Sequence, residues 1–340
     1  MTIRSLREMT REGNSSSLTI EAQVEKILLK ETSSGKPFYE LVLRDATGTL
    51  SLRAWSEKPS FLACQKLAKG EFVEITGNFT QNSFGLDATT WSVQTLDEEK
   101  INFLLEGSLE EQRTHQADYE LLLHSIDSLQ DPRLQMLCQL FLKQYGKRFR
   151  RAAAARSNHH ARRGGLLEHT ARMMRSLLAL HPVYPQLHRD LLITGILFHD
   201  SGKLWETCPL AQGFEITPHL RGELLGHLSI GIELVNALWR ELPKETWSHL
   251  LPADEEVRLH LLHLIASHHG LLEYGSPILP KTPEAMVLHL LDNLDARFEM
   301  FQEAYAQKPS SDMGLFEWSR PLGVAPVVPL REAEFKKTEE

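Results

Sequence analysis

Two hydrophobic periods divide the chain. In the first hundred residues apolar positions recur at alternate places, the period of a strand with one buried face. The pattern is present near the start of SLTIEAQVEKILLKE (17–31) and is more regular in PFYELVLRD (37–45) and TLSLRAWS (49–56). The DATG between the last two supplies a turn, with Gly48 free to take positive φ. PSFLACQKLAKG (59–70) then changes to helical spacing and stops at Gly70, and two more strands follow in EFVEITGNFT and GLDATTWSVQTL.

Three strands, a helix and two strands is the order of an OB-fold β-barrel. The alternation also assigns faces. Leu41, Leu43, Leu50 and Leu52 fill the barrel, and the opposite face of the same hairpin carries Phe38, Val42, Arg44, Arg53 and Trp55. Aromatics and arginines on an outer strand 2–3 face suit base stacking and phosphate contact. Packing against the second domain or the tail is the competing use of Phe38 and Trp55. Lys36, in SSGKPF, adds a candidate phosphate contact.

From Asp118 the period becomes helical. DYELLLHSIDSL, RLQMLCQLFLKQYGKRF, LLEHTARMMRSLLALH, LHRDLLITGILFHD, ELLGHLSIGIELVNALW, EEVRLHLLHLIASHH and PEAMVLHLLDNLDARFEMFQEAY follow without a strand pattern between them. The fold class is therefore multidomain: an N-terminal OB-fold barrel (1–100), a charged helical linker (101–150), an all-α domain (151–306) and an extended C-terminal tail (307–340).

Composition narrows the setting. At 340 residues the chain is long enough for two well-filled cores. Cys64, Cys138 and Cys208 form no C-x-x-C pair, which argues against a thiolate zinc site and against disulfides. Nothing has the length of a membrane span or the form of a signal peptide, so the expectation is a cytoplasmic protein without a membrane partner. The net charge of −8 argues by itself against nucleic acid. Locally the sign reverses. No Asp or Glu occurs from Pro132 to Leu167, a window with nine arginines and lysines, among them Arg162 and Arg163. Such a strip can guide an anion, although a solvated helix face is the plainer use.

Histidine is uneven too: of 16, none lies in the first hundred residues. The helical half presents His169, His199 with Asp200, His227, His268 with His269, and Asp292 at helix ends or on inward faces. Imidazole and carboxylate without thiolate suit divalent ions, Mn²⁺ foremost, with Fe, Zn²⁺ or Mg²⁺ compatible. An adjacent His-Asp pair has a clear use, since the aspartate can bridge two ions while the histidine holds one. That arrangement activates water at neutral pH.

FHDSGK, with GGLLEHT upstream and a terminal aspartate downstream, resembles the HD superfamily of metal-dependent phosphohydrolases. NHHARRGGLLEHT, LFHDSGK, LLGHLSIG, SHHGLLEYGSP and EAMVLHLLDNLDAR behind an OB-fold together resemble the YhaM-type 3′→5′ exoribonucleases, from about residue 17 to about residue 305. The resemblance implies His169, His199, Asp200 and Asp292 around a first metal and His227, His268 and His269 around a second, with Asp200 bridging. It gives Lys203 the scissile phosphate and sets His159, His160, Arg162 and Arg163 where substrate phosphates could be gripped. Asp295, one turn beyond Asp292, would orient a neighbouring ligand. Ser201 departs from the aliphatic residue usual at that place. The implied activity is a hydrolase: a metal-dependent nuclease that trims single-stranded RNA, or single-stranded DNA, from the 3′ end. The alternative is a phosphodiesterase or phosphatase acting on a small nucleotide, with the barrel as a regulatory module. A homo-oligomer is compatible with the apolar VAPVVPL of the tail, which can cover a neighbouring subunit as readily as its own.

Overall fold

The structure is a computed structural model; it describes residues 1–10, 17–82, 85–155, 162–216, 219–306, 309–310 and 313–330. A short helix, α1 (Ile3–Thr10), precedes β1 (Ser17–Glu31), β2 (Pro37–Arg44), β3 (Thr49–Trp55), α2 (Pro59–Cys64), β4 (Phe72–Asn82) and β5 (Gly85–Thr95). The strands form one antiparallel sheet in the order β3-β2-β1-β4-β5. The sheet curls until β3 and β5 meet, which leaves the nearly closed barrel of an OB-fold. Leu41, Leu43, Leu50 and Leu52 are buried in it, as their alternation requires. A register shift between Val24 and Lys26 bends the long β1 so that it can pair with both β2 and β4. The helix α1 has too few residues to show a clear period in the sequence. It buries Ile3 and Leu6 in the barrel core, and its Ile3 N–H donates to Asp45 Oδ2 at 2.6 Å.

The helical part begins earlier than the charge pattern indicates. It comprises α3 (Glu98–Glu106), α4 (Leu109–Asp127), α5 (Pro132–Phe149), α6 (Gly165–Leu180), α7 (Arg189–Phe198), α8 (Leu220–Glu241), α9 (Asp254–Ser267) and α10 (Pro283–Tyr305). The linker expected over 101–150 is not a separate connector. Leu122, Ile126, Leu134, Leu137, Cys138, Phe141 and Phe149 of α4 and α5 share one core with α6 to α10. The polar faces of these two helices account for the charge of the region, while their apolar stripes are buried. The helix α7 is the centre of the bundle. Every residue from Asp190 to Phe198 is buried, so its hydropathy is uniform instead of periodic.

The barrel docks on the segment 210–215 of the helical part. Gln23 Oε1 accepts from Phe214 N–H at 2.9 Å, Phe72 and Phe214 meet with ring centroids 6.2 Å apart, and Lys69 pairs with Glu215 at 2.8 Å. Within the described part of the tail, residues 313–330 fold back through bridges between Leu315 and Val327 and between Ser319 and Val324, and Phe316 and Leu322 are buried. No helix among the described residues is long and apolar enough to cross a membrane.

Candidate metal centre

The buried helix α7 ends at Phe198, so His199 and Asp200 leave it inside the protein, with 0% and 2% of their surfaces exposed. A 3-10 turn, Ser201–Trp205, follows. Gly202 allows that turn to touch α8, because a Cβ there would lie 2.0 Å from the His227 carbonyl oxygen. The helix α8 bends at Gly226, whose φ of +67° is open to glycine at little cost, and the bend turns His227 toward Asp200. The end of α9 delivers His268 and His269; α6 delivers His169 and α10 delivers Asp292.

These side chains gather around Asp200. Its Oδ2 lies 3.4 Å from His199 Nε2 and 3.9 Å from His169 Nε2, and its Oδ1 lies 3.5 Å from His227 Nε2 and 3.7 Å from His268 Nε2. His169 Nε2 is 3.2 Å from Asp292 Oδ1 and 3.2 Å from His199 Nε2. On the other side His227 Nε2 and His269 Nε2 approach to 3.2 Å. Two ligand groups result, His169–His199–Asp200 and His227–His268–His269, each with its donor atoms within 4.8 Å of one another.

The surroundings fix the tautomers. The Nδ1–H of His169 donates to Asp295 at 2.7 Å and that of His227 to Glu206 at 3.1 Å. His199 and His268 donate to the carbonyls of Ile196 and Ile265, each at 2.8 Å. Four Nε2 lone pairs are thereby aimed inward. Nitrogens 3.2 Å apart, His169 with His199 and His227 with His269, need a proton or a cation between them. The buried Asp200 Oδ1 and His269 Nδ1 have no hydrogen-bond partner, and an orphaned carboxylate oxygen is costly without one. The donor set therefore fits divalent metal ions.

Electrostatics agree with an anionic, ligand-ready centre. Burial by itself would raise the Asp200 pKa, but Lys203, 2.6 Å away, and His199 outweigh it and hold the carboxyl well below its usual range. Asp292 is likewise held down, against burial, by His169 and His199. Burial opposes charge on His169, yet Asp292 and Asp295 prevail and raise its pKa to about 9. Burial, reinforced by His268, lowers His269 to about 4. Ser201 is buried with its hydroxyl donating to the Phe198 carbonyl at 2.8 Å, so its presence in place of an aliphatic residue leaves no unpaired polar group.

Several sequence expectations land elsewhere. Arg162 pairs with Glu168 at 2.6 Å and with Glu299 at 2.8 Å, and Arg163 donates to the carbonyls of Leu210, Ala211 and Gly213. Both are committed to holding the fold and are not free to grip phosphate. Much of the basic strip is engaged in the same way: Arg133 is buried against Asp131, and Arg148 donates to the Leu204 carbonyl. Arg44 is bound to Glu25 at 2.7 Å, which removes it from the outer basic face. Phe38 and Trp55 are cross-strand neighbours with ring centroids 5.0 Å apart, while Lys36 and Arg53 are exposed. His159 and His160 lie outside the described residues. Glu206 had no assigned role from the sequence, although it closes the KLWE that follows the His-Asp pair.

A pocket of about 300 Å³ opens onto Asp200, Lys203, His268, His269 and Asp292. Its mouth is lined by Tyr274, Asn293, Arg297, Met300 and Pro321, the last from the tail.

An all-α domain with a buried His-Asp pair at the centre of two ligand groups, preceded by an OB barrel, has the make-up of an HD-type phosphohydrolase. Residues 166–297 match the HD domain family. The 3′-5′ exoribonuclease YhaM of Oceanobacillus iheyensis is 33% identical over 82% of this chain and 85% of its own length. YhaM of Bacillus pumilus is 32% identical over 80% and 82%. The chain belongs to the YhaM family of 3′-5′ exoribonucleases. The solved second OB-fold domain of replication protein A from Methanococcus maripaludis is 24% identical over 25% of this chain and 87% of that one, with a TM-score of 0.20.

Proposed function

We propose that this protein is a 3′→5′ exoribonuclease that hydrolyses phosphodiester bonds of single-stranded RNA at a pair of divalent ions, Mn²⁺ being preferred. The observation that carries the reading is the aspect of Asp200: one carboxylate oxygen faces each ligand group. His169, His199 and Asp292 complete one site, and His227, His268 and His269 the other. Two ions bound there would lower the pKa of water and neutralise charge on the phosphate.

The protein's own groups do the rest. Lys203 keeps Asp200 ionised and stands beside the scissile phosphate. Asp295 and Glu206 hold His169 and His227 in the tautomer that offers Nε2. The outer barrel face with Phe38, Trp55, Lys36 and Arg53 supports the strand by stacking and charge, without sequence preference. A pocket of about 300 Å³ is at the low end for small-ligand sites, which suits a strand end better than a strand passing through. The small-nucleotide phosphodiesterase reading is not favoured, because the YhaM likeness extends across barrel and helical part together.

The test is a time course with Mn²⁺ on 5′-labelled single-stranded RNA, using wild type and Asp200→Ala. The expected result is a ladder of shortened labelled products that the variant does not make. Immediate release of labelled mononucleotide would reverse the polarity. Hydrolysis of mononucleotides alone would favour the small-molecule reading.

A further inference from the structure

The metal pocket contains a cation without an assigned task. The helix α10 lays Asp292, Asn293, Ala296, Arg297 and Met300 along one wall. Arg297 is exposed, and its Nε donates to Asn293 Oδ1 at 2.6 Å. Among the described residues the guanidinium has no ion-pair partner, and its terminal nitrogens have no protein acceptor. In contrast, the pocket's other cation, Lys203, is bound to Asp200 at 2.6 Å. The neighbouring arginines 162 and 172 are locked onto Glu168 and Glu299. A guanidinium with a free bidentate edge suits a phosphate.

Position gives the phosphate an address. Asp292 and Arg297 line the same pocket of about 300 Å³, and the guanidinium leans back one turn onto Asn293, the neighbour of Asp292. In a pocket that small the guanidinium reaches only a phosphate close along the strand to the one at the ions. We infer that Arg297 binds the phosphodiester one linkage to the 5′ side of the scissile bond, with Asn293 fixing the guanidinium. The contact sets the register of the strand, so that the terminal linkage stops at the ions. The inference rests on the nuclease reading and adds a specific contact to it.

The experiment is a chemical double-mutant cycle. Two 5′-labelled RNA oligonucleotides are compared in single-turnover cleavage of the terminal linkage. One is all phosphate, and the other carries a single neutral methylphosphonate at the adjacent linkage. Wild type is expected to slow on the neutral substrate by about tenfold or more, the worth of one hydrogen-bonded charge contact. Arg297→Ala is expected to slow on the all-phosphate substrate by a similar factor and to show no further loss on the neutral one. Arg297→Lys, which keeps the charge and loses the fork, should retain part of the sensitivity. Melting temperature and bound metal, measured for each variant, confirm an intact centre. The inference is overturned if Arg297→Ala remains as sensitive to the methylphosphonate as wild type, or if it cleaves the all-phosphate strand at the wild-type rate. Wild type that cleaves neither strand sinks the nuclease reading, and the inference with it.

Discussion

At the scale of the residue, the centre turns inward more ligand atoms than its own protons satisfy, Asp200 Oδ1 and His269 Nδ1 among them. Four histidines aim Nε2 at one aspartate, and each is held there by a hydrogen bond from Nδ1. Removing such a support without touching a ligand typically weakens metal binding 10- to 100-fold. Asp295→Asn and Glu206→Gln should therefore each lower Mn²⁺ affinity by about 10- to 100-fold, read by calorimetry, with the fold retained. Unchanged affinity would mean that the two carboxylates do not orient the rings. A pH dependence follows from His169. With its pKa raised from 6.5 to about 9 in the metal-free protein, a cation must displace its proton. Apparent metal affinity should thus climb about tenfold per pH unit below pH 9 and level off above it. The metal-free protein has the opposite sign: the raised pKa adds stability that is fully present below pH 6.5 and lost as the pH rises through about 9. A flat affinity between pH 6.5 and 9 would show that His169 is already neutral before metal arrives.

The ligands were legible because each stands where the apolar helical pattern would accept a leucine. Their partners were not. Glu206 is one acidic residue in a polar stretch, and nothing in its spacing points to His227. Arg162, Arg163 and Arg44 misled for a related reason: the one-dimensional sequence shows charge but not the carboxylate or carbonyl folded against it.

At the scale of the element, the strands are legible nearly to their ends because one face of each is buried and the period is 2. The α1 helix and the core role of α4 and α5 are not legible in the sequence, the first for shortness and the others because a charged face masks a buried stripe. The geometry of the centre also depends on backbone, and two glycines carry it. Gly202→Ala would set a Cβ against the His227 carbonyl. It should displace α8 and cost about 1–3 kcal/mol, seen as a lower melting temperature and loss of one of two bound ions. Retention of both ions and of the wild-type melting temperature would show that the turn and α8 are not in close contact. Gly226 is open on its Cβ side but sits at φ 67° and ψ 161°, a region that only glycine enters readily, so Gly226→Ala is expected to cost about 1–3 kcal/mol from backbone strain alone.

At the scale of the whole molecule, barrel and bundle divide the work. The first hundred residues hold no histidine, and all 16 lie beyond them in the sequence. The docking of Gln23, Phe72 and Lys69 on 210–215 ties the barrel to the segment that Arg163 clamps from the bundle side. Double substitution of Phe38 and Trp55 by alanine should weaken binding of a single-stranded oligonucleotide by about 1–3 kcal/mol per stacked base lost, measured by fluorescence anisotropy. Unchanged binding would mean that the strand runs over another face.

The proposed chemistry requires the Asp200 carboxylate to be shared between two cations. Anomalous diffraction from crystals soaked in Mn²⁺ tests this most directly. The prediction is two peaks, about 3.5–4 Å apart as in other two-metal sites, with an oxygen of Asp200 on each. A single peak, or two peaks of which neither touches Asp200, would contradict it.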